Sequence, residues 1–128
     1  MMKIVLTGMA LLLLLCSCDP GVWGTVSVQN TSATAVHLSY YTSFAESNTY
    51  KNDTLIAAKS DTVHLFHYFR LGTASRFSLR DALDSILLVT NGTPVRTLSM
   101  SDSDWNISRD VKFGGGGTVN FYYTIKSR

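Results

Sequence analysis

Hydrophobic and polar residues alternate with a period of two along most of the chain beyond residue 25. Val26 and Val28 alternate with polar neighbours, and the same period continues through 36–41, 62–69 and 119–125. Successive side chains of a β-strand point to opposite faces, so this period predicts β-strands. Turn-forming residues at 30–32 separate the first two segments, and we expect these two strands to pair as a hairpin.

Three further strands are indicated by composition and turn signals. A short strand is predicted at 54–58, and an apolar, β-branched run predicts another at 85–90. Asn91-Gly92 follows this run and is the strongest hairpin signal in the chain, because a type I′ turn needs positive φ at both positions. The return strand is predicted at 93–99, and Pro94 places it at a sheet edge because proline lacks an amide donor.

The fold class predicted from these segments is all-β. About seven short strands with little helix favour an antiparallel β-sandwich, immunoglobulin-like or related. Residues 72–84 are the only stretch with helical character, and we expect a turn or two of helix or an irregular crossover there. Residues 114–117 are four glycines, which we interpret as a flexible connection before the last strand.

The first seventeen residues have the layout of a secretory signal peptide. Lys3 precedes an apolar run at 4–15, which is shorter than the roughly 20 residues that a membrane-spanning helix needs. The run ends in Leu15-Cys16-Ser17-Cys18, which looks like the lipobox of bacterial lipoproteins. That resemblance implies cleavage before Cys18 and a diacylglycerol on its thiol, with acyl chains attaching the protein to a membrane. The alternative is an ordinary signal peptide with cysteines near its end.

The lipobox divides the chain into a signal peptide at 1–17, a lipidated tether at 18–24 and a β-sandwich domain at 25–128. The two cysteines of the sequence are Cys16 and Cys18. The first leaves with the signal and the second carries lipid, so we expect no disulfide, zinc site or cysteine nucleophile in the mature chain.

Charge gives no indication of nucleic acid as a partner. The formal net charge is +2, and loss of Lys3 with the signal lowers it by one. The remaining basic residues are scattered singly from Lys51 to Arg128 rather than forming a basic stripe.

Several patterns that are typical of metal sites fail on spacing. His64 and His67 are three apart on a predicted strand, so we expect them on opposite faces, where one metal ion could not bind both. Asp102, Asp104 and Asn106 repeat the start of a calcium loop. However, Ile107 and Phe113 occupy the positions where that loop needs its glycine and its bidentate glutamate, which favours a solvated acidic turn. We therefore predict no metal.

Catalytic and cofactor motifs are also not recognised. The glycines at 114–117 are followed by a strand rather than by Lys-Ser/Thr and a helix, so they do not match a phosphate-binding loop. The sequence contains no Gly-x-Ser-x-Gly nucleophile elbow. We therefore predict no catalytic residues and no cofactor.

Aromatic residues occur on both faces of several predicted strands. Exposed rings would suit a sugar or a protein partner, whereas rings covered by loops would simply belong to the core. The residues concerned are Tyr40, Tyr41, Phe66, Tyr68, Tyr122 and Tyr123.

The layout of the chain resembles small envelope lipoproteins of unknown function from the Bacteroidetes. The similarity is carried by the lipobox and by the segments SVQNTSATAVHLSYY, DTLIAAKSDTVHLF, DSILLVTNGTPVRTLS and DWNISRD. It implies a β-sandwich in the cell envelope. The tripeptides that begin at Asp53, Asp61 and Asp84 are also similar to an O-glycosylation signal of that group, which makes Thr54, Thr62 and Ser85 candidate glycosylation sites.

The expected function is that of a non-catalytic module, anchored by lipid on Cys18, that binds a glycan or protein partner. The alternative is a structural or assembly subunit that pairs through the edge strand near Pro94. A hydrolase is the least favoured class. The outer membrane is the expected location, with the inner membrane and the orientation of the protein left open.

Overall fold

The computed structural model describes residues 20–42, 51–90 and 93–126. Within these ranges the chain forms eight β-strands and two single turns of 3-10 helix, at Leu79–Asp81 and Asp102–Asp104. The strands are β1 (Gly21–Asn30), β2 (Val36–Tyr41), β3 (Lys51–Ile56), β4 (Val63–Leu71), β5 (Ser85–Thr90), β6 (Thr93–Thr97), β7 (Asn106–Val111) and β8 (Gly117–Ile125).

These strands form two four-stranded sheets, which confirms the predicted all-β sandwich. Sheet A has the order β4-β1-β8-β7, and sheet B has the order β3-β2-β5-β6. All neighbouring pairs are antiparallel except β1 and β8, which are parallel, so sheet A is mixed rather than purely antiparallel. A parallel pair needs a long connection, and here all of the intervening strands supply it.

The core lies between the inner faces of the two sheets. Strands β1, β2 and β8 contribute alternate side chains to it, as expected for strands with one face on the core. The largest fully buried apolar side chains are Phe121, Leu38, Ile56, Leu79, Leu83, Ile86, Val22, Val26, Val28 and Val119.

Strand β1 begins earlier than the predicted domain boundary. It starts at Gly21, so Gly21–Gly24 are part of sheet A rather than of a tether. Val22 is fully buried, and Trp23 pairs with Phe69 of β4. The glycines at 21 and 24 interrupt the hydrophobic period, which is why the sequence pattern missed this part of the strand.

Strand β7 was not predicted. Ile107, Arg109 and Val111 pair with inward-facing positions of β8, so their side chains share the inner face of sheet A. Arg109 occupies the middle of these three inward positions, and its charge interrupts the apolar alternation in the sequence. Hydrogen bonds from its guanidinium to the carbonyls of Ala74 and Phe77 hold it there.

The predicted hairpin between β1 and β2 is wrong, because the two strands belong to different sheets. β1 pairs with β4 and β8, whereas β2 pairs with β3 and β5. The turn signal at 30–32 therefore marks a crossing between sheets. The predicted β5–β6 pair is present, while its turn at Asn91-Gly92 lies outside the described residues.

The crossing from β1 to β2 is organised by the buried side chain of Asn30. Its Nδ2 donates hydrogen bonds to the carbonyl oxygens of Thr34 (2.8 Å), Ala57 (3.0 Å) and Ile56 (3.4 Å). Its Oδ1 accepts from the backbone N–H of Ser32 (3.0 Å) and from the Ser32 hydroxyl (2.6 Å). One side chain thus joins two segments, 32–34 and 56–57, to the end of β1. We call this end of the sandwich the far end.

The opposite end, where β1 begins, is called the N-terminal end. Here the backbone N–H of Gly72, just after β4, donates to the carbonyl of Pro20, and that of Ala74 donates to the carbonyl of Gly115. The glycine run is not a flexible connection but a tight turn between β7 and β8. Gly114 and Gly115 have φ of 88° and 92°, a backbone conformation that residues other than glycine rarely adopt.

The crossover from sheet A to sheet B at 72–84 is an irregular segment with one 3-10 turn, within the range that was predicted. Arg109 of β7 holds it, donating to the carbonyl oxygens of Phe77 (2.6 Å) and Ala74 (3.2 Å). Asp102 accepts from the Leu79 N–H at 2.8 Å and lies 3.6 Å from the Arg109 guanidinium. Asp102 is therefore a structural contact of the crossover, rather than only part of a solvated turn.

Candidate functional site

The outer face of sheet A brings together polar side chains from four strands. The registers of β1, β4, β7 and β8 determine which residues share it. We define the polar face by Thr25, Ser27, Gln29, His64, His67, Asn106, Ser108, Thr118, Asn120, Tyr122 and Thr124. All of these carry hydroxyl, amide or imidazole groups, and a charged residue, Asp110, appears only at its corner, paired with Lys112 at 2.6 Å.

A β-bulge in β4 brings both histidines to this face. Thr25 pairs with His67 and Ser27 pairs with His64, so the three-residue spacing on β4 matches a two-residue spacing on β1. Leu65 is the extra residue and packs against the core. The expectation that His64 and His67 lie on opposite faces is therefore wrong. Their ring centroids are 6.1 Å apart.

Ser27 and His64 form a hydrogen bond between Oγ and Nδ1 of 2.8 Å. This resembles the nucleophile and base of a hydrolase, but Ser27 is fully buried in the centre of the sheet. A nucleophile must contact the scissile bond, and the buried Ser27 hydroxyl is not accessible to one in this fold. We interpret the contact as one that fixes the orientation of the His64 ring.

The two histidines do not complete a metal site with other described residues. Among residues 20–42, 51–90 and 93–126, no group of three or more His, Cys, Asp or Glu side chains comes together. Two imidazoles alone would leave most of the coordination sphere of zinc to water. Both side chains are exposed and remain available as hydrogen-bonding groups.

Asn120 occupies the centre of the polar face beside β1. Its Oδ1 accepts hydrogen bonds from the Thr25 backbone N–H (3.1 Å) and hydroxyl (3.0 Å). On the inner face of sheet A, one residue before Thr25 and Asn120, the Tyr68 hydroxyl passes over Gly24 and donates a hydrogen bond to the Val119 carbonyl. A Cβ at Gly24 would lie 1.7 Å from that carbonyl oxygen, so only glycine leaves this path open. Because these bonds hold the Asn120 Oδ1 toward Thr25, the Asn120 Nδ2 is directed away from Thr25.

Two exposed aromatic rings adjoin the polar face at the N-terminal end. Trp23 is 59% exposed and Phe69 is 44% exposed, and their ring centroids are 4.2 Å apart. Sequence analysis did not single out either residue, because Trp23 fell in the predicted tether and Phe69 on a strand that looked covered on both faces. Trp23 was recognisable only as a large ring beside a glycine.

The aromatic residues that were predicted as candidates are mostly core residues. Tyr40 and Tyr68 are each 5% exposed, while Phe66 and Tyr123 are partly buried against the core. Tyr122 is half-buried on the polar face, and Tyr41 is 40% exposed on the outer face of sheet B. Most of these rings are therefore covered and belong to the core, rather than being exposed for a partner.

The candidate modification residues lie in different surroundings. Cys18 lies outside the described residues. Thr62 is exposed between β3 and β4, whereas Ser85 is half-buried at the start of β5. Thr54 is also half-buried and forms a side-chain hydrogen bond with Tyr40. Burial raises the pKa of the Tyr40 hydroxyl, and this hydrogen bond opposes the rise.

One open cleft of about 560 Å³ lies beside the end of β4. It is lined by Arg70, Leu71, Gly72, Thr73, Arg76, Phe77 and Asp81. The Asp81 carboxylate already accepts from the backbone N–H and hydroxyl of Ser78, at 2.7 and 2.8 Å. The cleft therefore combines two arginines with a carboxylate that serves the crossover.

No helix within the described residues is long and apolar enough to cross a membrane. Comparison of the chain with protein-family models, with curated proteins and with solved structures found no match.

Proposed function

We propose that this chain is a lipoprotein of the bacterial cell envelope, held on the outer membrane by lipid on Cys18, and that its β-sandwich is a non-catalytic module that binds a neutral glycan. The observation that supports the binding role is the polar face of sheet A. It presents hydroxyl, amide and imidazole groups from four strands on a rigid support.

The chemistry of the polar face matches that of a sugar. Glycans present many hydroxyl groups that donate and accept, and an apolar ring face that packs on aromatic side chains. His64, His67 and the Asn120 amide supply donors and acceptors, and the half-buried Tyr122 supplies a ring on the same face. Each such hydrogen bond contributes about 0.5–1.5 kcal/mol, so a face of this kind gains affinity from many weak contacts.

The sandwich itself favours a binding role for such a face. Its strands hold the donors at fixed spacing, so a ligand does not have to order them on binding. The Ser27–His64 bond and the Asn120–Thr25 bonds each fix a ring or amide before any ligand arrives. This preorganisation lowers the entropic cost of binding.

The binding proposal is tested with lipidated protein prepared from its native membrane and polysaccharide extracted from the same envelope. We expect His67→Ala to weaken binding by about threefold to tenfold, which corresponds to the loss of one hydrogen bond. His37→Ala is the matched control, because His37 lies on the outer face of sheet B. Equal effects of the two substitutions, or binding to envelope protein but not to polysaccharide, would contradict a glycan site on the polar face.

The anchor is tested separately by mass spectrometry of the same preparation. We expect the N-terminal peptide to begin at residue 18 and to carry the mass of a diacylglycerol. An unmodified Cys18 would rule out the lipoprotein assignment and leave the binding test unaffected.

A second candidate function is assembly through an edge strand. In the part of the chain that the structure describes, β6 pairs only with β5, so its other side can accept a strand from a partner. The bulge between Leu88 and Val89 disturbs the regular ladder of this edge, which makes it a poorer template for strand addition. Crosslinking from a cysteine placed at Arg96 would detect a neighbouring chain there.

A further inference from the structure

The N-terminal end of the sandwich exposes large apolar side chains. Trp23 is 59%, Phe69 44%, Leu71 64% and Phe113 109% exposed. We call these four residues the apolar tip. Monomeric soluble domains seldom leave such groups together without a function, because each exposed ring costs hydration free energy.

The aromatic pair of the tip lies directly over the first residues of β1. A Cβ on Gly21 would lie 2.7 Å from the Phe69 ring, so the ring rests on the glycine, and Trp23 packs against that ring at an interplanar angle of 39°. Leu71 pairs with Gly21 in the same ladder and shares the outer face with Phe69. Three apolar side chains therefore surround the point at which the chain enters the fold.

Phe113 reaches the same end from the opposite edge of sheet A. It lies in the turn between β7 and β8, and this turn packs on Pro20 and Gly21. A Cβ on Gly116 would lie 2.7 Å from the Gly21 carbonyl oxygen, which shows how closely the turn approaches the start of β1. The Phe113 side chain itself makes no use of this packing, since it is fully exposed.

The distance to the anchor determines what this end faces. Gly21 is the third residue after Cys18, and three extended residues span at most roughly 10 Å. The headgroup layer of one leaflet is about 5–8 Å thick. A lipid chain on Cys18 therefore holds the start of β1 within reach of the headgroups in every molecule.

We propose that the apolar tip inserts into the headgroup layer of the membrane that carries the lipidated Cys18. This inference rests on the anchor proposed above. The indole of tryptophan favours this layer because it is apolar but carries one polar N–H, and phenylalanine and leucine side chains bury at the boundary between headgroups and acyl chains. Arg70 and Arg76 line the neighbouring cleft together with Asp81, so the cleft carries a net positive charge, which suits an anionic phosphate surface.

Tip insertion would also orient the sandwich. With its N-terminal end on the membrane, the strands of sheet A rise from the bilayer, and the polar face stands to one side of the molecule. The binding surface would then remain open to ligands in the aqueous phase, and the far end would point away from the membrane.

The experiment uses lipidated protein in vesicles of phosphatidylethanolamine and phosphatidylglycerol, with Trp23 as the probe. The sequence has two tryptophans, and Trp105 is buried and donates from Nε1 to the Ser99 carbonyl at 2.8 Å. We expect the Trp105→Phe protein to show a blue-shifted emission in vesicles. Its intensity should fall about twofold with lipids brominated near the headgroup, because that is where the indole lies. Trp23→Phe is the matched control, whose remaining Trp105 should not respond.

Wild-type protein provides a second measurement if Trp105→Phe does not fold. The brominated lipids should then quench only a fraction of the total emission, and Trp23→Phe should abolish that fraction. Combined replacement of Phe69, Leu71 and Phe113 by serine should reduce the quenching in either background, since it removes the rest of the tip.

The outcomes separate the tip from the anchor. Protein with lipid on Cys18 whose Trp23 is neither shifted nor quenched would overturn tip insertion and leave the anchor standing. Quenching that persists in a Cys18→Ser protein added to vesicles would support insertion of the apolar tip and show that insertion does not require the lipid anchor. A blue shift of the Cys18→Ser protein without vesicles that grows with concentration would show that a second copy covers the tip, and would overturn the proposal.

Discussion

The far end and the N-terminal end of the sandwich close the same core with different kinds of contact. At the far end, the buried Asn30 joins two segments to the end of β1 through five hydrogen bonds. At the N-terminal end, glycines allow backbone segments to pack directly, and large apolar side chains remain exposed outside them. One end is closed by a polar side chain inside the fold, the other by close backbone packing with apolar groups in solvent.

The difference separates residues that stabilise the fold from residues that are exposed to other surfaces. Buried polar contacts at the far end hold the fold, because each unpaired backbone group there would cost about 1–3 kcal/mol. The rings of Trp23 and Phe69 at the N-terminal end leave about half of their surface in solvent, so they contribute less to folding than fully buried side chains do. Their positions are therefore open to selection for a contact with another surface.

The largest expected effect is that of Asn30→Leu. The leucine has similar volume but leaves the carbonyl of Ala57 and the N–H of Ser32 without their partner, while the carbonyl of Thr34 keeps only the Ser32 hydroxyl. We expect the free energy of unfolding to fall by about 3 kcal/mol or more. Urea denaturation measures this change. Asn106→Leu is the matched control at an exposed asparagine, and an equal loss there would contradict the comparison.

At the N-terminal end, Gly117→Ala tests the backbone packing. A Cβ at Gly117 would lie 2.0 Å from the Asp110 carbonyl oxygen, whereas a Cβ at Gly114 would meet no atom within 4 Å. Both glycines have positive φ. We expect Gly117→Ala to cost about 2–3 kcal/mol and Gly114→Ala only about 1 kcal/mol for its backbone conformation. Thermal unfolding of the two variants gives the comparison, which equal shifts would refute.

Tyr68 lies between the two ends, and Tyr68→Phe should have an intermediate effect. The Val119 carbonyl loses its hydroxyl donor, at a cost of about 1–2 kcal/mol. Burial raises the pKa of Tyr68 well above its ordinary value of 10.0; the charge of Asp81 adds to the rise, and that of Arg109 opposes it.

Tyr68→Phe should also change how the free energy of unfolding depends on pH. The unfolded chain loses the Tyr68 proton near pH 10.0 while the folded chain keeps it, so wild-type stability is present below that pH and falls as the pH rises above it. Tyr68→Phe should make this alkaline decline shallower, and Tyr40→Phe should remove part of the remainder, because the pKa of Tyr40 is also raised. An unchanged slope for Tyr68→Phe, measured by urea denaturation between pH 8 and 11, would contradict the assignment.

The smallest expected effect on stability is that of Trp23→Ser. Trp23 is mostly exposed, so we expect a loss of only about 0.5–1 kcal/mol, from its ring contact with Phe69. Trp105→Ser should cost several times more, because Trp105 is buried. Thermal unfolding in the absence of lipid measures both. A large loss for Trp23→Ser would show that the apolar tip is part of the core.

Much of the fold was predictable because the alternation that marks a strand is visible within a short stretch of sequence. The limits of β5 were predicted at 85–90, as observed, and β8 and β4 were predicted to within two residues. The failures have physical causes. Glycines obscured the start of β1, Arg109 obscured β7, and a turn signal at 30–32 could not reveal whether the chain would pair with itself or cross to another sheet.

The candidate surface was much less predictable. Spacing on an ideal strand separates His64 from His67, and one bulged residue, Leu65, reverses that result. The bulge depends on how β4 pairs with β1, which lies far away in the sequence. Likewise, the polar face exists only because β1, β4, β7 and β8 become neighbours, while the aromatic pair joins Trp23 to a residue of a different strand.

The sequence by itself determined that this chain would form short strands around an apolar core, because alternation along a strand is local and the burial of alternate side chains drives it. It also contained the lipobox-like segment on which the anchor proposal depends. Tertiary structure alone decided which strands became neighbours, which side chains share the polar face, and that Trp23 and Phe69 meet beside the first residues of β1. These outcomes depend on registers and bulges between distant segments, whose free energies are set only when both segments are in place.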